Sequence, residues 1–302
     1  MTKAQAIDES PHVAAAPAAV ETPSGKGAGD ENFPVGSRLI ARRHRPHVAA
    51  FYAFARAIDD IADNPDLAPQ EKLARLERMD QALLGAADDP ALATARRCRA
   101  SLDACGIAVQ HCRDLITAFK GDATKLRYAD WDDLIEGYCR YSASPVGRYL
   151  LDLHGEDTAG YVNSDALCDA LQVLNHLQDC QDDYRALDRV YLPGDWLDAA
   201  GAKVEDLDAA AASPGLRKVF DQCLDGVDAL LDTARALPGR LRSRRLAMES
   251  AAIVRIAEDL AAALRRRDPV AGRVELSKPR FLWCLLRGVF DVWLGRARRN
   301  AA

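Results

Sequence analysis

Three observations predict an all-α fold for this 302-residue chain. From residue 34 onward Ala, Leu and Arg are abundant, and all three are strong helix formers. Runs of β-branched residues, the usual mark of strands, are nearly absent. Short Pro and Gly clusters punctuate the chain, and the stretches between them carry apolar residues at helical spacing. With 49% hydrophobic residues a substantial core can be buried, and no loop is long or biased enough to be an interdomain linker. One helical domain over residues 31–302 is therefore expected.

The chain opens with thirty residues rich in Ala, Pro, Gly and Ser, read as a disordered tail over 1–30. They lack the basic start and apolar stretch of a secretory leader. A basic run, "ARRHRPHVAAF" (41–51), follows and suits either a solvated surface or the steering of an anionic ligand. Next comes "FARAIDDIAD" (54–63). On a helix Tyr52, Arg56, Asp59 and Asp63 share one face, with Asp60 at its edge, while Val48, Phe51, Phe54, Ile58 and Ile61 make the other faces apolar. Carboxylates one turn apart in an enclosed place repel unless a cation or donor lies between them. The competing reading is an acidic patch at a helix end, paired to Arg56 at the surface.

Breaks are expected at 64–69 and 88–91. Cys98, Cys105 and Cys112 recur every seven residues and read as small hydrophobes along one helix face. None of the eight cysteines has CxxC or zinc-site spacing. The loop "FKGDATKLRYAD" (119–130) carries Lys125 and Arg127, which could reach an anion or be ordinary loop charge. After a break at 153–160, "LQVLNHLQDCQDDYRALDRVYLP" (171–193) repeats the earlier pattern. Asn175, Asp179 and Asp183 are spaced by four, with Gln172 a turn before and Asp182 beside them, on a helix otherwise apolar. Two such helices facing each other would clamp a diphosphate through Mg²⁺, a hard cation that takes a few carboxylates and fills its remaining positions with water and phosphate oxygens. Arg56, Arg185 and Arg189 are the candidate cations for the phosphate oxygens.

Further breaks fall at 192–195, 213–215, 237–239 and 268–279. The final stretch, "RFLWCLLRGVFDVWLGRARR" (280–299), holds Trp283, Phe290, Trp293 and five arginines. It is too short and charged to span a bilayer. A last helix with its aromatics packed inside is expected, the alternative being peripheral contact with an anionic membrane surface. The formal charge of −5 and pI near 5.7 argue against nucleic acid as a partner. The default location is the cytoplasm, peripheral at the inner face of the membrane if that contact exists.

These motifs, in this order, resemble the squalene and phytoene synthase family of head-to-head prenyl diphosphate synthases, over roughly residues 30–290. "FYAFARAIDDIAD" resembles its first aspartate-rich motif, "YCRYSASPVG" (138–147) its YCxxxAGxVG segment, and "NHLQDCQDDYRALDRVYLP" its second motif with a trailing R-x-Y-x-P. "ENFPVGSRLIARRHRPHVAAFYAFAR" and "FKGDATKLRYADW" are most similar to the hydroxysqualene synthase branch of the hopanoid pathway. The chain departs from the family where Asn32 replaces a serine, and where Ala143-Ser144-Pro145 replaces the usual Ala-Gly.

The resemblance implies an isoprenoid synthase helical bundle with a central cavity and two facing Asp-rich helices. It implies Mg²⁺ on Asp59, Asp63, Asp179 and Asp183, with Asp60 and Asp182 secondary. Tyr52, Tyr138, Asn175 and Tyr191 become candidate catalytic residues, and Arg56, Arg189 and Asn32 candidate diphosphate ligands. The implied substrate is presqualene diphosphate, captured by water to give hydroxysqualene, with Tyr138, Tyr141, Asn175 and Asn32 candidates to hold that water. Other pathway enzymes are candidate partners. Sibling condensations of two prenyl diphosphates share the same ionisation step, and a non-catalytic assembly protein would be expected to lose its aspartates.

Overall fold

A computed structural model describes residue 20 and residues 39–86 and 89–295. In chain order the helices are α1 (Arg45–Asp63), α2 (Pro69–Leu83), α3 (Ala93–Cys105) and α4 (Gln110–Asp122). After the short strand β1 (Arg127–Tyr128) come α5 (Trp131–Leu134), a π-helical turn (Ile135–Cys139), α6 (Arg140–Ser142) and α7 (Ser144–Leu153). The long helix α8 (Tyr161–Leu187) leads to strand β2 (Val190–Pro193) and α9 (Gly194–Ala200). The remainder is α10 (Pro214–Ala234), α11 (Leu237–Arg240), α12 (Arg244–Arg266) and α13 (Lys278–Trp293).

Local chemistry accounts for the ends. Ser213 and Ser243 cap α10 and α12 by accepting from the backbone N–H groups of Leu216 and Leu246. Gly106, at φ 66°, stops α3 in the left-handed region, so the three cysteines read above as one face are divided between two helices. Cys98 and Cys112 still meet in the core, their sulfurs 3.5 Å apart as free thiols. Asp188 stops α8 at φ 52°, which is strained for a non-glycine residue, and Arg127 reaches its side chain from β1. The two strands pair in parallel, a small sheet that the sequence pattern gave no sign of.

Two apolar clusters form. One joins α1 to α4 with Tyr149 and Leu153 of α7, and includes Val20. The other centres on α8, α10 and α12. A cavity opens between them, walled by α1, α4, α7, α8 and α12. It thus has one aspartate helix, α1, in the first cluster and the other, α8, in the second.

One expectation is corrected here. On α13 only Cys284, Gly288 and Asp291 are buried; Trp283, Phe290 and Trp293 are 49 to 61% exposed. Gly288 explains the geometry, because it brings α13 so close to α12 that a Cβ there would lie 2.4 Å from the Ala252 nitrogen. The helix packs by its small residues and leaves its aromatics outside.

Candidate active site

The cavity, about 360 Å³, begins at Tyr52, Arg56 and Asp59 on α1 and passes Tyr138, Gln172, Asn175 and Gln178. It continues between apolar walls that include Phe51, Leu150, Leu171, Ile253 and Leu260. On α1 the interval of three and four turns Tyr52, Arg56 and Asp59 inward, while Asp63, the last member of the stripe, is not part of the lining. Arg56 bridges Asp59 and Asp60 at 2.9 Å each. Asp60 is 7% exposed and does not line the cavity, so it serves to orient Arg56. Asp59 faces inward, and its carboxyl is held well above the ordinary range, first by burial and then by Asp63, with Arg56 opposing.

Asp63 is tied to the second cluster. Its carboxylate accepts from Arg189 at 2.5 Å, and the same guanidinium donates to the carbonyls of Ala62 (3.0 Å) and Asp122 (3.2 Å). Arg189 is 5% exposed and does not line the cavity. A candidate diphosphate ligand by sequence, it is engaged here with Asp63 and positions that carboxylate, joining α1, α4 and the start of β2. Arg185 is likewise turned away, to Asp208 at 2.9 Å. Lys125 pairs with Asp133, and Arg127 with Asp188.

On α8, Asn175 lines the cavity, and Asp179 and Asp183 are half-buried near the end of the helix. Asp182 is exposed. Asp179 pairs with Arg273, which comes from the loop after α12 and also contacts Glu275 at 3.0 Å. Gln178 fixes that loop by donating to the Val274 carbonyl at 2.5 Å. Asn32 lies outside the described residues.

The π-helical turn aims Tyr138 into the cavity. Its hydroxyl donates to Asp122 at 2.9 Å, and Tyr191 donates to the other Asp122 oxygen at 3.3 Å. Tyr191 does not line the cavity; it stacks on His176 at 3.6 Å. Tyr141 is also outside the lining. Asp122 is 3% exposed and its carboxyl is pushed up to about 6, first by burial, with Arg189 and Tyr138 opposing. His176 is pushed down to about 3 by burial and then by Arg189, so it is neutral.

Asp122, His176 and Arg273 were not singled out from sequence. A signal for Asp122 existed: it continues the buried series Leu115, Ala118 along α4 at helical spacing, an acid where an apolar residue is due. For Arg273 none existed, since only the fold brings its loop to α8.

Whether Mg²⁺ suits these residues can be judged from charge. Asp59, Asp63 and Asp122 influence one another electrostatically in a buried setting, and a guanidinium already occupies Asp179. Such a set attracts cations. Among the described residues no three His, Cys, Asp or Glu side chains cluster tightly enough to hold a metal alone. The carboxylates are hard oxygen donors of the kind Mg²⁺ takes, and would supply part of a ligand set whose other positions are filled by water and phosphate oxygens.

A predominantly helical shell around an apolar cavity, walled in part by the two aspartate-bearing helices α1 and α8, fits the isoprenoid synthase class. A profile of the squalene/phytoene synthase family matches residues 27–280, and the chain belongs to that family. Among similar proteins, a hydroxysqualene synthase of Rhodopseudomonas palustris is 47% identical over 87% of this chain and 89% of its own. One from Sinorhizobium fredii is 44% identical over 89% and 90%. A solved squalene synthase from Alicyclobacillus acidocaldarius superposes with TM-score 0.67 at 36% identity, covering 77% of this chain and 87% of that one. A dehydrosqualene synthase shares the fold at TM-score 0.72 and 21% identity, over 88% and 93%. The protein is thus an enzyme of the squalene and hopanoid synthase type.

Proposed function

We propose that the protein converts presqualene diphosphate and water to hydroxysqualene and diphosphate, with Mg²⁺ held by Asp59, Asp63, Asp179 and Asp183. The observation that carries this reading is the cavity with Arg56 and Asp59 at one end and hydrocarbon walls beyond. The hydroxysqualene synthases that resemble the chain over most of its length support the choice of reaction.

When bound, the metal supplies positive charge that stabilises the departing diphosphate. Arg56 adds a cation at the same end, held in place by Asp60. The C–O bond breaks with its electron pair leaving on the diphosphate, and the organic cation that remains rearranges against the cavity wall. Tyr52 and Tyr138 present aromatic rings to it, and the apolar walls exclude bulk water. One water then adds its oxygen lone pair to the cation, and the proton it loses passes to the released diphosphate. Of the candidates to hold that water, Asn175 and Tyr138 line the cavity and are retained. The hydroxyl of Tyr138 already donates to Asp122, so its own oxygen is the group that accepts from the water.

Location belongs to the same reading. Among the described residues no helix is long and apolar enough to cross a membrane. The exposed face of α13 suits the surface of an anionic bilayer. Leu282, Trp283, Leu286, Phe290 and Trp293 are together on it, and residues 280–299 carry five arginines against one acid. A second copy of the chain would set those arginines against each other. We place the protein at the cytoplasmic face of the membrane, where a hydrophobic product can leave into lipid.

The reaction is tested by incubating purified protein and Mg²⁺, without nicotinamide, with presqualene diphosphate or farnesyl diphosphate separately, and identifying products by mass spectrometry. Hydroxysqualene from presqualene diphosphate is expected. Presqualene diphosphate or hydrocarbon from farnesyl diphosphate, with no alcohol from presqualene diphosphate, would replace this reaction by a sibling condensation.

A further inference from the structure

Glu249 places a carboxylate among the hydrocarbon walls. On α12, Leu246, Glu249, Ile253, Ile256 and Leu260 recur at intervals of three and four, and all five line the cavity. Glu249 is 5% exposed. Nothing in the reaction proposed above uses it.

Its position along the cavity follows from two ties between α12 and α8. At one end the Glu156 carboxylate accepts from the backbone N–H groups of Arg242 and Ser243 (2.8 and 2.7 Å), joining the start of α12 to the loop before α8. At the other, Arg273 pairs with Asp179 and Gln178 donates to Val274, joining the loop after α12 to the last turns of α8. The two helices therefore run parallel, with the aspartates at their shared C-terminal end. Glu249 lies in the second turn of α12, which places it about 16 Å further from that end than Leu260 at the usual helical rise. The carboxylate is remote from the bond that breaks and stands in the far part of the hydrocarbon space, with Leu246 beyond it.

A hydrocarbon chain that reaches a buried carboxylate must strip it of its polar surroundings and gives nothing in return, which is unfavourable. A chain that stops short is unaffected. We propose that Glu249 sets the length of isoprenoid arm the cavity accepts, admitting fifteen-carbon arms and opposing twenty-carbon ones. This rests on the reading of the cavity as a prenyl diphosphate site, not on which product leaves it.

The test compares wild type, E249A, E249L and E249Q on presqualene diphosphate and on its counterpart built from two twenty-carbon arms, with kcat/KM for diphosphate release as the readout. E249A and E249L should shift the ratio towards the longer substrate by about tenfold or more, the scale on which pockets discriminate added methylenes. E249Q, which keeps that part of the cavity filled and polar, should retain the wild-type ratio. A merely structural role lowers both rates and leaves their ratio alone, and an unchanged ratio in E249A and E249L overturns the proposal. If the protein instead condenses allylic diphosphates, the same ratio is read with farnesyl and geranylgeranyl diphosphate, so the chain-length question survives failure of the hydroxysqualene reading. A measurement on wild type is independent of how the variants fold: inhibition by n-alkyl diphosphates should strengthen with length and then weaken once the chain reaches Glu249. Steady strengthening through twenty carbons contradicts the proposal.

Discussion

Asp122 shows how much a single buried side chain governs the site. Both its oxygens accept tyrosine hydroxyls, and Tyr138 among them faces the cavity. Its raised value, about 6 against an ordinary 3.8, means that the folded state holds the proton more tightly than the unfolded chain. Stability from this group is therefore present below pH 4 and is lost as pH rises towards 6, by an amount on the order of 3 kcal/mol. His176 acts in the opposite sense: held neutral down to about 3, it costs stability as pH falls below 6.5. Melting temperatures of wild type and D122N across pH 4 to 7 isolate the first effect, because His176 is common to both. Relative to D122N, wild type should lose stability between pH 4 and 6; parallel curves would show that Asp122 is not held protonated. At this scale a residue's own helix decides its direction, as for Asp59 and Asn175, which spacing alone turns to the cavity. The partners of Arg189 and Arg273 were not legible, since they lie 126 and 94 residues away in the chain.

Helix contacts decide the rest of the site's shape. The pairing of α12 with α13 depends on Gly288, where an added Cβ meets the backbone of Ala251 and Ala252 at 2.4 to 2.7 Å. Backbone cannot give way as a flexible side chain can, so G288A should destabilise by about 1–3 kcal/mol, the usual range for overpacking. Thermal melting and hydrogen exchange in α13 would report it, and wild-type protection there would contradict the packing described. Gly147, in the "SASPVG" segment, is similarly pressed against the side chains of Ser164 and Cys168. Helix existence was legible throughout, because Pro and Gly mark the ends. The break at Gly106 and the β1–β2 pair were not legible, since one glycine inside a seven-residue repeat and a two-residue strand are below what periodicity resolves.

Over the whole molecule, two helical clusters enclose a cavity, and α13 turns an apolar face outward beside it. Sequence could not tell an aromatic helix packed inside from one lying on a surface, because both have the same periodicity; the small residues at Gly288 and Cys284 decide it. The surface reading predicts that wild type cosediments with vesicles rich in anionic lipid and that W283S/L286S/W293S does not, with melting temperature unchanged since these side chains are exposed. Equal binding by the triple variant would remove α13 as the contact.

The central claim is that aspartates on α1 and α8 act together as one Mg²⁺-dependent clamp on diphosphate. Its most direct test is the rate of diphosphate release from presqualene diphosphate by wild type, D59N and D179N over a range of Mg²⁺ concentrations. The account predicts Mg²⁺-dependent release in wild type and loss of it in either variant, with the fold retained by circular dichroism. Full release by D59N or D179N would show that the two helices do not share the work.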